Sequence, residues 1–181
     1  MENKNLEKEI KLKIKNLNQI KLKIKKLNAV LEKRRSFEDN VLFDFPDNSL
    51  RKKGFALRIR KQGNEAYLTF KGEKIRSKNF KIREELEIKL ENPDILYDIF
   101  TRIGLKKTFR YQKFRTLFKI SDVHVALDET PVGNFIEIEG KEENIISMAE
   151  KLGYRDNDII TLDYVEIFKK THKKGNMIFI K

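Results

Sequence analysis

The chain has 181 residues, enough for one domain with a real core, and its aliphatic and aromatic content argues against disorder although 38% of residues are charged. It contains no cysteine, which excludes disulfides and thiolate metal sites. It shows neither an apolar run long enough to cross a bilayer nor a signal-peptide pattern, so a soluble, cytoplasmic protein is expected. The formal charge of +12 calls for an anionic partner, with phosphates the obvious class, though a chain rich throughout in Lys, Ile and Asn does not thereby choose its ligand.

Leu6 to Lys13 alternates as a strand does, with Glu7, Glu9, Lys11 and Lys13 on one face and Leu6, Ile10 and Leu12 on the other or at its edge. Carboxylates beside an ammonium can hold a divalent cation and meet a polyanion that the cation also bridges. Asn16 with Gln19 three residues on reads as a helix start, with Leu17, Ile20, Ile24 and Leu27 inward and Lys21, Lys23, Lys25 and Lys26 on the wet face. Strand patterns follow at Val30–Arg35 and Val41–Asp44, then turn residues Pro46 to Ser49. Phe55–Arg60 and Ala66–Lys71 form a hairpin across Gln62-Gly63-Asn64; Arg58 and Arg60 share a face, as do Tyr67, Thr69 and Lys71.

Ile82–Ile88 alternates again, with Arg83, Glu85 and Glu87 on one face, backed by Ile82, Leu86 and Ile88. A helix is then punctuated by Asn92 as cap, Pro93 in the first turn and Gly104 as terminator, with Ile95, Leu96, Ile99, Phe100 and Ile103 expected inward. Strands are expected at Phe109–Lys113 and Arg115–Lys119, and a hairpin at Val123–Asp128 and Asn134–Glu139. Helices are expected from about Lys141 to Leu152 and from about Asn157 to Lys170, while Met177–Ile180 reads equally as an edge strand or a tail. About eight hairpin-linked strands with four helices between them make an α+β fold whose antiparallel sheet is expected to close into a barrel, in a single domain spanning 1–181.

The polar faces of these strands gather Lys11, Arg58, Arg60, Lys71, Arg83, Lys113 and Arg115, and opposite them Glu7, Glu9, Glu85, Glu87, Asp128, Glu137 and Glu139. On an open sheet they would simply face water. In a closed barrel they would line the lumen, where desolvated charges must be paired or must meet a ligand. Arg forks and Lys point charges suit phosphoryl oxygens, and carboxylates suit Mg²⁺ or Mn²⁺. His124 shares a face with Ala126 and Asp128 but reads as a mouth or structural residue; His172 reads as exposed, and two distant histidines give zinc little support.

Seven segments stand in an order that resembles the CYTH superfamily, the triphosphate tunnel metalloenzymes that include class IV adenylate cyclases and thiamine triphosphatases. They are Glu7-x-Glu9-x-Lys11, Leu57-Arg58-Ile59-Arg60, Leu68-Thr69-Phe70-Lys71-Gly72, Arg83-x-Glu85-x-Glu87, Lys113-x-Arg115, Ala126-Leu127-Asp128 and Phe135-Ile136-Glu137-Ile138-Glu139, and the likeness spans about 6–168. The resemblance implies an eight-stranded antiparallel tunnel with helices outside, binding a triphosphate and Mg²⁺ or Mn²⁺. It implies phosphate contacts from Lys11, Arg58, Arg60, Lys71, Lys113 and Arg115, and metal or nucleophile contacts from Glu7, Glu9, Asp128, Glu137 and Glu139. Lys11, Glu9 and Lys71 are the implied catalytic set, with Arg83, Glu85 and Glu87 supporting. Substrates implied are ATP (cyclised to cyclic AMP and pyrophosphate), or thiamine triphosphate, a nucleoside triphosphate or tripolyphosphate (hydrolysed); some relatives act on a triphosphorylated RNA end, and many dimerise. The chain departs from the bacterial cyclase pattern in having no His-Phe pair before Glu7. The competing reading is a basic RNA- or polyphosphate-binding module without catalysis, whose affinity would fall steeply with salt and need no metal.

Overall fold

The computed structural model describes residues 6–171 and 174–180. Strand β1 (Leu6–Ile14) leads through helix α1 (Leu17–Lys26) to β2 (Val30–Asp44), and the short helix α2 (Ser49–Lys52) precedes the hairpin β3 (Ala56–Gln62) and β4 (Glu65–Lys71). Strand β5 (Lys81–Leu90), helix α3 (Pro93–Arg102), and strands β6 (Lys106–Ile120), β7 (Val123–Thr130) and β8 (Gly133–Glu139) follow. Helix α4 (Glu142–Leu152), the two-residue strand β9 (Ile159–Ile160) and helix α5 (Tyr164–Thr171) complete the elements. The sheet runs β5-β4-β3-β2-β6-β7-β8-β1-β9, all neighbours antiparallel, and β1 also pairs with β5, so the first eight strands close on themselves. The expected closed eight-stranded α+β barrel is what the chain forms. Among the described residues, no helix is long and apolar enough to cross a membrane.

Most of the buried apolar residues lie outside the barrel wall, under the helices. Ile10, Leu12 and Ile14 of β1 pack with Val125 and Leu127, Ile136 and Ile138, and with Ile20 and Ile24 of α1 and Ile145, Met148 and Leu152 of α4. The Asn16 side chain accepts from the Gln19 amide at 3.1 Å, the cap read from the sequence, and Gly153 ends α4 at φ 89°, a conformation glycine adopts without a Cβ clash. Lys23 is not on the wet face: it donates to the Leu152 carbonyl at 2.6 Å and ties α1 to the end of α4. A second cluster, Val41, Phe43, Ile59, Phe100 and Leu105, sits under α3. A third, Phe109, Tyr111, Phe135, Tyr164, Phe168 and Met177, joins α5 and the tail to β6 and β8.

Several expectations need correction. The two segments read in 30–44 are one strand, as are the two in 106–120, because the polar stretch Ser36–Asn40 continues to pair with β6 and, from Glu38 on, with β3 as well. Only Leu96 and Phe100 of the expected apolar set on α3 turn inward; Ile95, Ile99 and Ile103 are exposed, since Tyr97 and Phe100 take the packing against Phe43. Leu86 and Ile88 are likewise exposed on a part of β5 that no helix covers. The last helix starts at Tyr164, not Asn157: Ile159 and Ile160, β-branched, pair with Leu12 and Lys11 instead. The tail is held against β6 by the parallel bridge Tyr111 to Met177, by the Asn176 side chain accepting from the Arg110 amide at 2.8 Å and by the Phe179 amide donating to the Gln112 side chain at 3.1 Å, and Met177 is fully buried. His172 lies outside the described residues.

Candidate active site

Side chains alternate along a strand, so cross-strand partners share a face, and the register carries one face around the lumen. Glu9 stands opposite Glu139, Lys11 opposite Glu137, Glu38 opposite Lys113, Asn40 opposite Arg60, Thr69 opposite Glu87 and Lys71 opposite Glu85. Within this face lies a cavity of about 480 Å³. Of the residues singled out in the sequence, Glu7, Glu9, Lys11, Arg58, Arg60, Lys71, Arg83, Glu85, Glu87, Lys113, Arg115, Glu137 and Glu139 all line it. Asp128 does not. Lys13 shares their strand face but is exposed beyond the cavity, and His124 sits outside, its Nδ1 2.8 Å from Glu32.

One wall, from β3 and β6, is basic. The Arg58 guanidinium donates to Tyr111 at 3.1 Å and Thr69 at 3.0 Å, and lies 3.5 Å from both Glu85 and Glu87. Arg60 donates to Glu87 at 2.7 Å and lies over the Tyr67 ring. Burial works against the charge of Arg58, but Tyr111, Glu85 and Glu87 outweigh it and push its pKa up. Beneath this wall Asp128, wholly buried, accepts from Lys113 at 2.9 Å, from Arg115 at 2.6 and 2.5 Å, and from the Tyr164 hydroxyl at 2.6 Å. It serves as the anchor of the basic pair. Glu137 contacts Arg115 and lies 3.1 Å from Lys11; burial opposes its charge, yet Arg115, Lys11 and Lys113 hold it well below the usual carboxylate range. Lys11, 2% exposed, also donates to the Leu162 carbonyl at 3.2 Å, with its Nζ 4.4 Å from the centre of the Tyr164 ring.

The opposite side, where β1 meets β5 and β8, is acidic. Lys71 binds Glu7 at 2.8 Å and Glu85 at 2.5 Å, and Lys81 binds Glu9 at 2.5 Å. Glu7 is pushed up, chiefly by burial. Glu85 is held at about 2: burial opposes its charge, but the Glu7 hydrogen bond, Lys71 and Arg58 outweigh it. Glu139 makes no ion pair among the described residues and is pushed up to about 7, by burial first and then by Glu7, Glu9 and Glu85. Among the described residues, no three carboxylates or imidazoles stand close enough to ligate one ion as they are. Arg83 turns to the backbone, donating to the carbonyls of Gly72 at 2.8 Å and Gly54 at 2.7 Å, so it braces the wall.

Sequence reading missed Glu38, Lys81 and Tyr111. Glu38 is 1% exposed and lies 3.5 Å from Lys113 and 3.7 Å from Arg60. Burial opposes its charge, but Lys113, Arg115, Arg60 and Arg58 hold the carboxyl at about 2. Its signal was its parity with Asn40 and Leu42, readable only once 30–44 is a single strand. Tyr164 packs in the aromatic cluster and also lines the cavity.

A family model for the CYTH domain matches residues 5–161. A candidate adenylate cyclase of Methanocaldococcus jannaschii is 30% identical over 175 residues, 96% of this chain and 94% of that one. Among solved structures, a candidate adenylate cyclase of Vibrio parahaemolyticus has a similar fold with a TM-score of 0.82 at 18% identity, covering 90% of this chain and 98% of that one. A Hippeastrum protein, a candidate adenylyl cyclase described as having a dominant triphosphatase activity, has a TM-score of 0.67 at 17% identity, covering 91% and 95%. With the family model spanning most of the chain and its barrel closing as theirs do, the protein belongs to the CYTH domain family.

Proposed function

We propose that this protein is a divalent-metal-dependent enzyme that cleaves a triphosphate held along the barrel lumen. The observation that carries the reading is the division of one enclosed cavity into a basic wall and an acidic side. Eight basic and seven acidic side chains line it, so the cavity is nearly neutral by itself. A fully ionised triphosphate brings several negative charges and would not be neutralised by that balance. Additional cations must accompany it.

The donor set fits such an ion: Glu7, Glu9 and Glu139 would hold Mg²⁺ or Mn²⁺, with Glu85 beside them, and Glu139 lines the cavity without an ion pair among the described residues. Bound there, the ion would neutralise phosphoryl oxygens and polarise the phosphorus they surround. Arg58, Arg60, Lys113 and Arg115 would grip the chain from the basic wall, and Lys11 and Lys71 would meet the oxygens that gain charge as the bond breaks. Asp128 and Glu137, already engaged by cations, are assigned here to holding Lys113, Arg115 and Lys11 in place. Arg83 and Glu87 brace the wall.

Hydrolysis of the terminal phosphate and cyclisation of ATP use the same cradle. The Hippeastrum fold neighbour favours the first reading and the Methanocaldococcus relative the second. The non-catalytic RNA- or polyphosphate-binding module draws on Lys21, Lys25 and Lys26, exposed on α1, but it leaves the enclosed charges without a role. Incubating the protein with ATP, thiamine triphosphate and tripolyphosphate, each with Mg²⁺, Mn²⁺ or chelator, and resolving products by phosphorus NMR, tests the proposal. Orthophosphate identifies a triphosphatase, and cyclic AMP with pyrophosphate a cyclase. Salt-sensitive binding without any product would return the account to the binding module.

A further inference from the structure

We infer that Lys81 is a resident counter-cation that keeps Glu9 closed to a free divalent ion and releases it only to an ion arriving with the triphosphate. The inference rests on the reading above that these carboxylates take the ion. Glu9 and Lys81 are direct cross-strand partners where β1 closes on β5, and their charged groups meet at 2.5 Å with 8% and 10% of each side chain exposed. Nearby, Lys71 holds Glu7 and Glu85. Two lysines thus occupy three of the four carboxylates on the acidic side. The fourth, Glu139, stands opposite Glu9 on β8 and has no ion pair among the described residues.

A free dication approaching Glu9 must displace an ammonium at contact distance in a half-dry site and then sit beside two positive charges. Both effects weaken binding, and burial keeps them from being screened. A metal–triphosphate complex meets a different balance. The phosphoryl oxygens give Lys71 and Lys81 new partners, and a lysine, with a flexible stem and three donors, can turn to them without moving the backbone. The carboxylates are then free for the ion. Metal and triphosphate must therefore strengthen each other's binding by the same factor.

Manganese binding is read directly from the spin-resonance signal of free Mn²⁺, on the whole chain, alone and with an imido analogue of tripolyphosphate that resists cleavage. The wild type should bind Mn²⁺ about tenfold or more tightly with the analogue than without it, and Lys81→Met should bind Mn²⁺ alone about tenfold more tightly than the wild type, shrinking that coupling. If Lys81→Met does not fold, Lys81→Gln and the wild-type coupling carry the test. Lys61→Met, which removes a lysine paired with the exposed Asp94 on the outer face, should leave Mn²⁺ affinity unchanged. The inference is overturned if Lys81 variants bind Mn²⁺ no more tightly than the wild type, if Lys61→Met tightens it equally, or if the wild type shows no coupling. Wild type that binds no Mn²⁺ under either condition overturns the functional reading along with it.

Discussion

The Tyr164 hydroxyl donates to Asp128 at 2.6 Å, joining the first turn of α5 to the inner face of β7. Asp128 accepts from Lys113 and Arg115 as well, so a helix outside the barrel helps fix two cations of the basic wall. Burial and Asp128 push the phenol well above its ordinary range, so it stays a donor at every working pH. Tyr164→Phe keeps the ring under Lys11 and removes only that bond. Loss of a hydrogen bond to a buried carboxylate should lower unfolding stability by about 1–3 kcal/mol, with the denaturant slope unchanged. Triphosphate affinity should weaken several-fold alongside it. A variant as stable as the wild type would show that the bond does not anchor the wall.

Glu38 predicts the acid limb of the stability profile. Its carboxyl is held at about 2 in the folded protein against an ordinary 4.5. A depressed carboxyl contributes stability that is fully present above the unfolded value and is lost as pH falls through the folded one. The contribution, at most about 3 kcal/mol, should therefore disappear between roughly pH 5 and pH 2. In Glu38→Gln the thermal midpoint should be lower near neutrality and should fall less steeply over that window. Parallel profiles for the two proteins would contradict the assignment.

Helix α3 gives a stability contrast between adjacent residues. Phe100 is 6% exposed and packs edge-on against Phe43, whereas Ile99 is 46% exposed. Phe100→Ala should cost about 3–5 kcal/mol. Ile99→Asp should stay within about 0.5 kcal/mol. Chemical denaturation of both variants decides the matter, and equal losses would mean that Ile99 is covered in solution.

The charged lining was legible because each barrel strand carries it on one parity, and a period of two survives any error in where a strand begins. Glu7-x-Glu9-x-Lys11 and Arg83-x-Glu85-x-Glu87 landed in the lumen for that reason. The same barrel hid Glu38 and Asn40. Here the interior is polar and the apolar core lies outside, so Ser36–Asn40 looked like a solvated connection while two of its side chains are almost fully buried. Helical spacing marked Ile95, Ile99 and Ile103 as one stripe on α3 but gave no means of knowing that Tyr97 and Phe100 would take the contact with the barrel. Lys81 was invisible for another reason. Its role exists only through the register between β1 and β5, strands that lie far apart in the chain.

The central claim is that the basic wall holds a triphosphate inside the barrel. Its most direct test is calorimetric titration of the uncleavable tripolyphosphate analogue, with Mn²⁺ present, into the wild type and Arg58→Ala, with circular dichroism confirming that both are folded. Arg58 loses a charged fork aimed into the cavity, so the account predicts one-site binding weakened about tenfold or more. Equal affinity in the two proteins would contradict it and place the ligand elsewhere.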